Sequence, residues 1–138
     1  MVFRDIIFIE SEGGFDSFNI TDRTRKIVSD SKIQEGIAVL FFQHTTGAIM
    51  VIEHETGILL DIQKALETIT PANGEYFHHL RDYDVNGCGH VRNALMSSSV
   101  TIPIINSNLA LGDYQEIIVI DMQPDPCIRN VIVQIIGD

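Results

Sequence analysis

The sequence predicts an α+β fold, on three observations. Apolar residues make up 45% of 138 positions, enough for a real core. Segments rich in β-branched and aromatic residues cluster toward both ends. Helical periodicity occupies the middle, without the regular alternation of a doubly wound sheet. The expectation is one domain over residues 1–138, with a mixed, mostly antiparallel β-sheet and two to three helices.

Phe3 to Glu10 reads as a strand ended by Gly13-Gly14, with Phe15 to Ile20 as its hairpin partner. Thr21 sits where an N-cap belongs, and Asp22 suits the helix dipole, so Asp22 to Ile33 reads as a short surface helix. Gly36 to Phe42 (GIAVLFF) is an unbroken apolar run and predicts a strand covered on both faces. Thr45 to Glu53 reads as the next strand. Ile58, Leu59, Ile62, Leu66 and Ile69 then form the apolar stripe of a helix over Glu55 to Ile69, stopped by Pro71-Ala72-Asn73-Gly74. Tyr76 to Gly89 has no period and reads as a loop, and it holds two of the five histidines. His90 to Ser97 reads as a short helix. Val100 to Ile105, Glu116 to Met122 and Ile128 to Ile136 read as strands, the last two separated by Gln123-Pro124-Asp125-Pro126.

The 19 acidic and 9 basic residues give a net charge of −10, which disfavours nucleic acid and anionic lipid as partners. Cys88 and Cys127 form no CxxC pair, which argues against a disulfide scaffold or a thiolate zinc ribbon and fits a reducing cytoplasm. The longest uncharged apolar run has seven residues, against the roughly 20 of a membrane helix. The opening MVFRDIIFIE lacks the long apolar core of a signal peptide.

Three imidazoles and a water make an open catalytic zinc site. The candidates are His44, His78 or His79, and His90, none of them at HxxxH spacing; His54 has no partner pattern. Asp82 to Gly87 resembles the start of a calcium loop, but Asn93 stands where the bidentate carboxylate belongs, so that reading is rejected. His44-Thr45-Thr46-Gly47 reads equally as a phosphate-holding turn and as a plain strand connection. Cys88 beside His90 suggests a nucleophile pair, yet no orienting third group accompanies it.

Several blocks resemble the YjbQ family, also known as the secondary thiamine-phosphate synthase family. They are HTTGAIMVIE from His44, YFH from Tyr76, DVNGCGHVRNAL from Asp84, SVTIPI from Ser99 and LALGDYQEI from Leu109. The resemblance implies a compact mixed-sheet α+β protein that assembles as a homo-oligomer, a trimer. It implies His44, His78 and His90 as metal ligands, choosing His78 over His79. Asp84 and Asn86 would face the same pocket, with Gln115 as a polar pocket group. Glu53 stands where the family often has asparagine, Tyr114 replaces tryptophan, and the tail keeps one arginine, Arg129, where two or more are common. Anion binding would then rest on Arg129, Arg92 and the metal.

The activity so implied joins an aminopyrimidine methyl diphosphate to a thiazole phosphate and releases pyrophosphate. The metal would act as Lewis acid, with Thr45, Thr46 and Arg129 on phosphate oxygens. Imidazole ligands favour zinc, whereas a diphosphate favours magnesium. The alternatives are a zinc hydrolase of a small molecule, with Glu53 or Asp84 as base, and an oligomer that binds metal and ligand without turnover.

Overall fold

The computed structural model describes residues 1–81 and 85–138. In chain order the elements are β1 (Val2–Ser11), β2 (Asp16–Asn19), α1 (Thr21–Ser31), β3 (Gly36–Phe42), β4 (Gly47–Ile52), α2 (Thr56–Ile69), α3 (His78–Arg81), α4 (Gly87–Leu95), β5 (Ser99–Ile105), β6 (Asn108–Leu109), β7 (Glu116–Asp121) and β8 (Cys127–Gly137). The α+β class stands. Among the described residues the strands form two sheets, ordered β1-β8-β3-β5-β6 and β2-β7-β4, with every pairing antiparallel.

The two sheets face each other across the main core. Ile7 and Ile9 of β1, Leu40 and Phe42 of β3, and Val131, Val133 and Ile135 of β8 meet Ile49, Ile117 and Val119 of the smaller sheet. The other face of the smaller sheet (Ala48, Ile118, Ile120) is covered by Leu59, Ile62 and Leu66 of α2. This layering corrects the expectation for Gly36 to Phe42. Along β3 burial alternates, with Ala38, Leu40 and Phe42 inside but Ile37 and Phe41 38% and 46% exposed. The strand covered on both faces is β7, where Ile117, Ile118, Val119 and Ile120 are all 0% exposed. A continuous apolar run marks a strand of high hydrophobicity, and only the layer order says which run lies in the middle.

Sequence neighbours do not always pair. The expected β1–β2 hairpin is absent: β1 pairs along its length with β8, from Val2↔Ile136 to Ser11↔Cys127, while β2 pairs with β7. The Gly13-Gly14 turn, with φ of 90° and 79°, sends the chain from one sheet to the other instead. Thr21 is the first residue of α1 and not its cap: Ile20 holds the N-cap position without a side-chain bond, and Asn19 Oδ1 accepts from the Thr21 N–H at 3.0 Å and the Thr21 hydroxyl at 2.7 Å. The Thr21 hydroxyl oxygen is thereby free to accept from the Ile117 N–H at 2.9 Å, pinning α1 to β7. Glu55 caps α2, accepting from the N–H groups of Gly57 and Ile58, which matches the expected start. Among the described residues no helix is long and apolar enough to cross a membrane.

Candidate functional site

The turn between β3 and β4 and the connection between β7 and β8 lie side by side, because Gly47 pairs with Asp121. Across this end lies α4, which can approach because of two glycines. A Cβ at Gly89 would stand 2.8 Å from the Met122 carbonyl, and one at Gly87 2.7 Å from the Tyr76 Cβ. Asn93, one turn further along α4, donates from Nδ2 to the Gly47 carbonyl at 2.7 Å. Helix α4 therefore begins at Gly87, three residues before the expected start, and part of the expected loop is the short helix α3.

Beneath the turn is a buried ion pair. Arg129 Nη2 lies 2.6 Å from Asp121 Oδ1 and donates to the Thr46 hydroxyl at 2.7 Å, and its guanidinium stands over the Phe42 ring. Burial opposes the Asp121 charge, but hydrogen bonds from Ser11, the Gln123 N–H and Arg129, with the Arg129 charge, outweigh it and hold the carboxyl below its ordinary range. Burial, with the hydrogen bond to Asp121, pushes the Cys127 thiol up. These contacts correct the substrate role expected of Arg129 and Thr46, which are 5% and 4% exposed and bonded to each other. Arg92 is occupied too, donating to Thr70 and Glu67 and so fastening α4 to the end of α2. Neither arginine offers a free cation to an anion.

His78 on α3 and His90 on α4 come together, ring centres 4.6 Å apart. His79 serves the scaffold: its Nε2 accepts from the Gly87 N–H at 3.0 Å and its ring meets Tyr76 edge-on. Asn86 heads α4 and is 5% exposed; its Nδ2 donates to Gln123 Oε1 at 3.3 Å, while its Oδ1 is buried and has no donor among the described residues. His44 is held differently. Its Nε2 accepts from the Asn130 N–H at 2.9 Å, and burial, then the Arg129 charge, lower its pKa. A nitrogen whose lone pair takes an N–H has none to give a metal. Among the described residues no three His, Cys, Asp or Glu side chains gather where one ion could reach them. The donor set therefore does not fit the expected three-histidine centre.

The remaining expected residues scatter. Thr45 is exposed beside His44. Glu53 follows the far end of β4, a strand of six residues or about 20 Å. Gln115 precedes β7 at that same far end and accepts from the Gly112 N–H at 2.8 Å, closing its own turn. Asp84 lies outside the described residues. Cys88 is buried on α4 two residues from His90, a spacing that turns side chains to different faces, so the pair is no nucleophile dyad. Asn93, Gln123, Asn130 and His79 carry structural bonds here that no local pattern announces. Only the G-C-G of Gly87 to Gly89 signals the close approach.

The UPF0047 protein YjbQ-like family pattern matches residues 5–138. A UPF0047 protein of Methanothermobacter thermautotrophicus is 33% identical over 119 residues, 86% of this chain and 81% of that one. A YbjQ-like protein of unknown function from Sulfolobus solfataricus superposes with a TM-score of 0.94 at 28% identity, covering 100% of this chain and 99% of that one. A YjbQ/UPF0047 family protein of Clostridium acetobutylicum superposes at 0.86 with 30% identity, covering 96% and 99%. None of these descriptions assigns an activity, and the three-histidine centre is not assembled among the described residues. The expected metal-dependent thiamine-phosphate synthase is corrected accordingly, and the zinc hydrolase and metal-binding oligomer, which need the same centre, fall with it. By the match over residues 5–138 and the identity of its relatives, the chain belongs to the UPF0047 YjbQ-like family.

Proposed function

We propose that the chain is an enzyme doing acid–base chemistry on a small polar molecule at the His78–His90 pair. The observation that carries this reading is the 4.6 Å approach of two half-buried imidazoles on successive helices. Histidine changes charge near neutral pH, so one ring can take a proton while the other gives one. Asn86 supports the reading. A buried acceptor without a donor costs about 1–3 kcal/mol, and its place beside these helices suits a substrate N–H or O–H. Turnover of a panel of phosphate esters, lactones and amides tests the proposal. Each of His78→Ala and His90→Ala is expected to slow the reaction by about 10²–10⁴-fold with the urea midpoint held. Turnover unchanged in both variants overturns it.

Self-association is part of the same reading. On the outer face of the larger sheet, Ile6, Ile132 and Phe41 lie in one cross-strand row, and Val2, Ile136, Ile37 and Pro103 in another. Phe8 and Ile128, also on this sheet, are 59% and 62% exposed. Contiguous apolar surface of this type marks association sites, and a second copy of the chain is the proposed occupant, with a trimer as the finer expectation. Sedimentation of the chain and of Phe41→Asp tests this; a monomer in both removes it. A cytoplasmic location belongs to the proposal too, supported by two free cysteines.

A further inference from the structure

A groove of about 360 Å³ opens beside the turn after β3, lined by Phe41, Phe42, His44, Thr45, Asn93 and Ser98 among others. Its character follows from the tautomer of His44. The Asn130 N–H is fixed by the backbone and reaches His44 Nε2 at 2.9 Å, so that nitrogen carries a lone pair. Asn130 Oδ1 also lies 3.2 Å from Nε2, which would suggest the opposite tautomer. The backbone decides between them: the amides of Asn130 and Gln43, bonded to each other at 2.9 Å, can exchange their ends together by paired flips, and a backbone N–H cannot. A neutral ring has one proton, and here it is on Nδ1. Among the described residues Nδ1 makes no bond.

Two hydroxyls join it. Thr45 is exposed, and its side chain bonds to nothing among the described residues. Ser98 Oγ accepts from Asn93 Nδ2 at 3.2 Å, which leaves its own proton to donate. The groove thus offers three neutral donors, against Asn93 Oδ1 as an acceptor. The nearest arginine, Arg129, is buried and spent on Asp121 and Thr46. Donors without a free cation suit an oxygen acceptor of low charge, whereas a phosphate dianion calls for a guanidinium or ammonium group. We propose that this groove binds a small carboxylate, with His44 Nδ1–H and the Thr45 and Ser98 hydroxyls donating to its oxygens. This goes beyond the His78–His90 reading and does not rest on it, since neither of those rings lines the groove.

The test is calorimetric titration of the full chain with propionate and, separately, with inorganic phosphate, joined to a long-range proton–nitrogen spectrum of the His44 ring. The expected result is saturable propionate binding, tighter than phosphate, with the His44 proton on Nδ1. Thr45→Val and Ser98→Ala should each weaken propionate by about tenfold or more, as loss of a hydrogen bond to a charged group does. Both change one hydroxyl outside the core, so the urea midpoint should hold. His78→Ala should bind propionate as the unaltered chain does, which separates failure of this site from failure of the histidine pair. A proton on Nε2, absence of saturable propionate binding, tighter phosphate binding, or indifference to both hydroxyl deletions each overturns the proposal.

Discussion

The two ends of the β4–β7 ladder carry similar side chains and use them in opposite ways. At the Gly47–Asp121 end, Arg129, Asp121 and Thr46 are buried and bonded to one another, with α4 resting on top. At the Ile52–Glu116 end, Gln115 and Glu53 are exposed, and His54 stands 4.0 Å from Glu116 in solvent. The first end is built around desolvated charge; the second is an ordinary wet strand end. Polar residue type does not distinguish them. What distinguishes them is whether an α-helix and a second strand connection close over the groups and remove water, which raises both the strength of each bond and the cost of losing it.

The largest effect that would break this contrast is expected at Arg129. Arg129→Ala leaves Asp121 buried without its cation and should destabilise by about 3–5 kcal/mol in urea unfolding. A loss near that of a surface change would erase the distinction between the two ends. Next comes Gly89→Ala. The new Cβ meets the Met122 carbonyl at 2.8 Å, and a backbone oxygen cannot swing aside. Overpacking of about 1–3 kcal/mol is partly offset by the roughly 1 kcal/mol that alanine contributes to a helix over glycine, for a net loss of about 1 kcal/mol.

A smaller effect depends on pH. The His44 pKa in the folded chain lies below its ordinary 6.5, so on acidification the unfolded chain takes the proton first. The stability held by neutral His44 is whole above about pH 6.5 and is lost as pH falls through the folded value. Urea midpoints between about pH 8 and about pH 5 should fall more steeply for the unaltered chain than for His44→Gln. Asp121 acts lower: its contribution is whole above the ordinary carboxylate pKa and is lost as pH falls from there through its depressed folded value. Smallest of all, Gln115→Ala at the wet end should stay within about 0.5 kcal/mol of the unaltered chain in the same assay. A larger loss would show that this end is built like the other.

What the sequence by itself determines here is local or cumulative. The α+β class, the helix from Glu55 and the strands at both termini are legible because periodicity and capping act over a few residues. Family membership is legible because HTTGAIMVIE and LALGDYQEI resemble the family's blocks in most residues and in spacing, Glu53 and Tyr114 being the departures. The tertiary structure decides which groups share an environment. It buries β7 rather than β3 on both faces, since two apolar runs look alike until the layers are stacked. It separates Gln115 and Glu53 from His44 by the length of a strand. It brings Asn130 from the last strand to a histidine 86 residues earlier, and that bond sets the tautomer of His44. Hydrogen bonds of such separation come from the pairing of β3 with β8. Pairing across the chain is a property of the whole fold, set by which faces can be buried together.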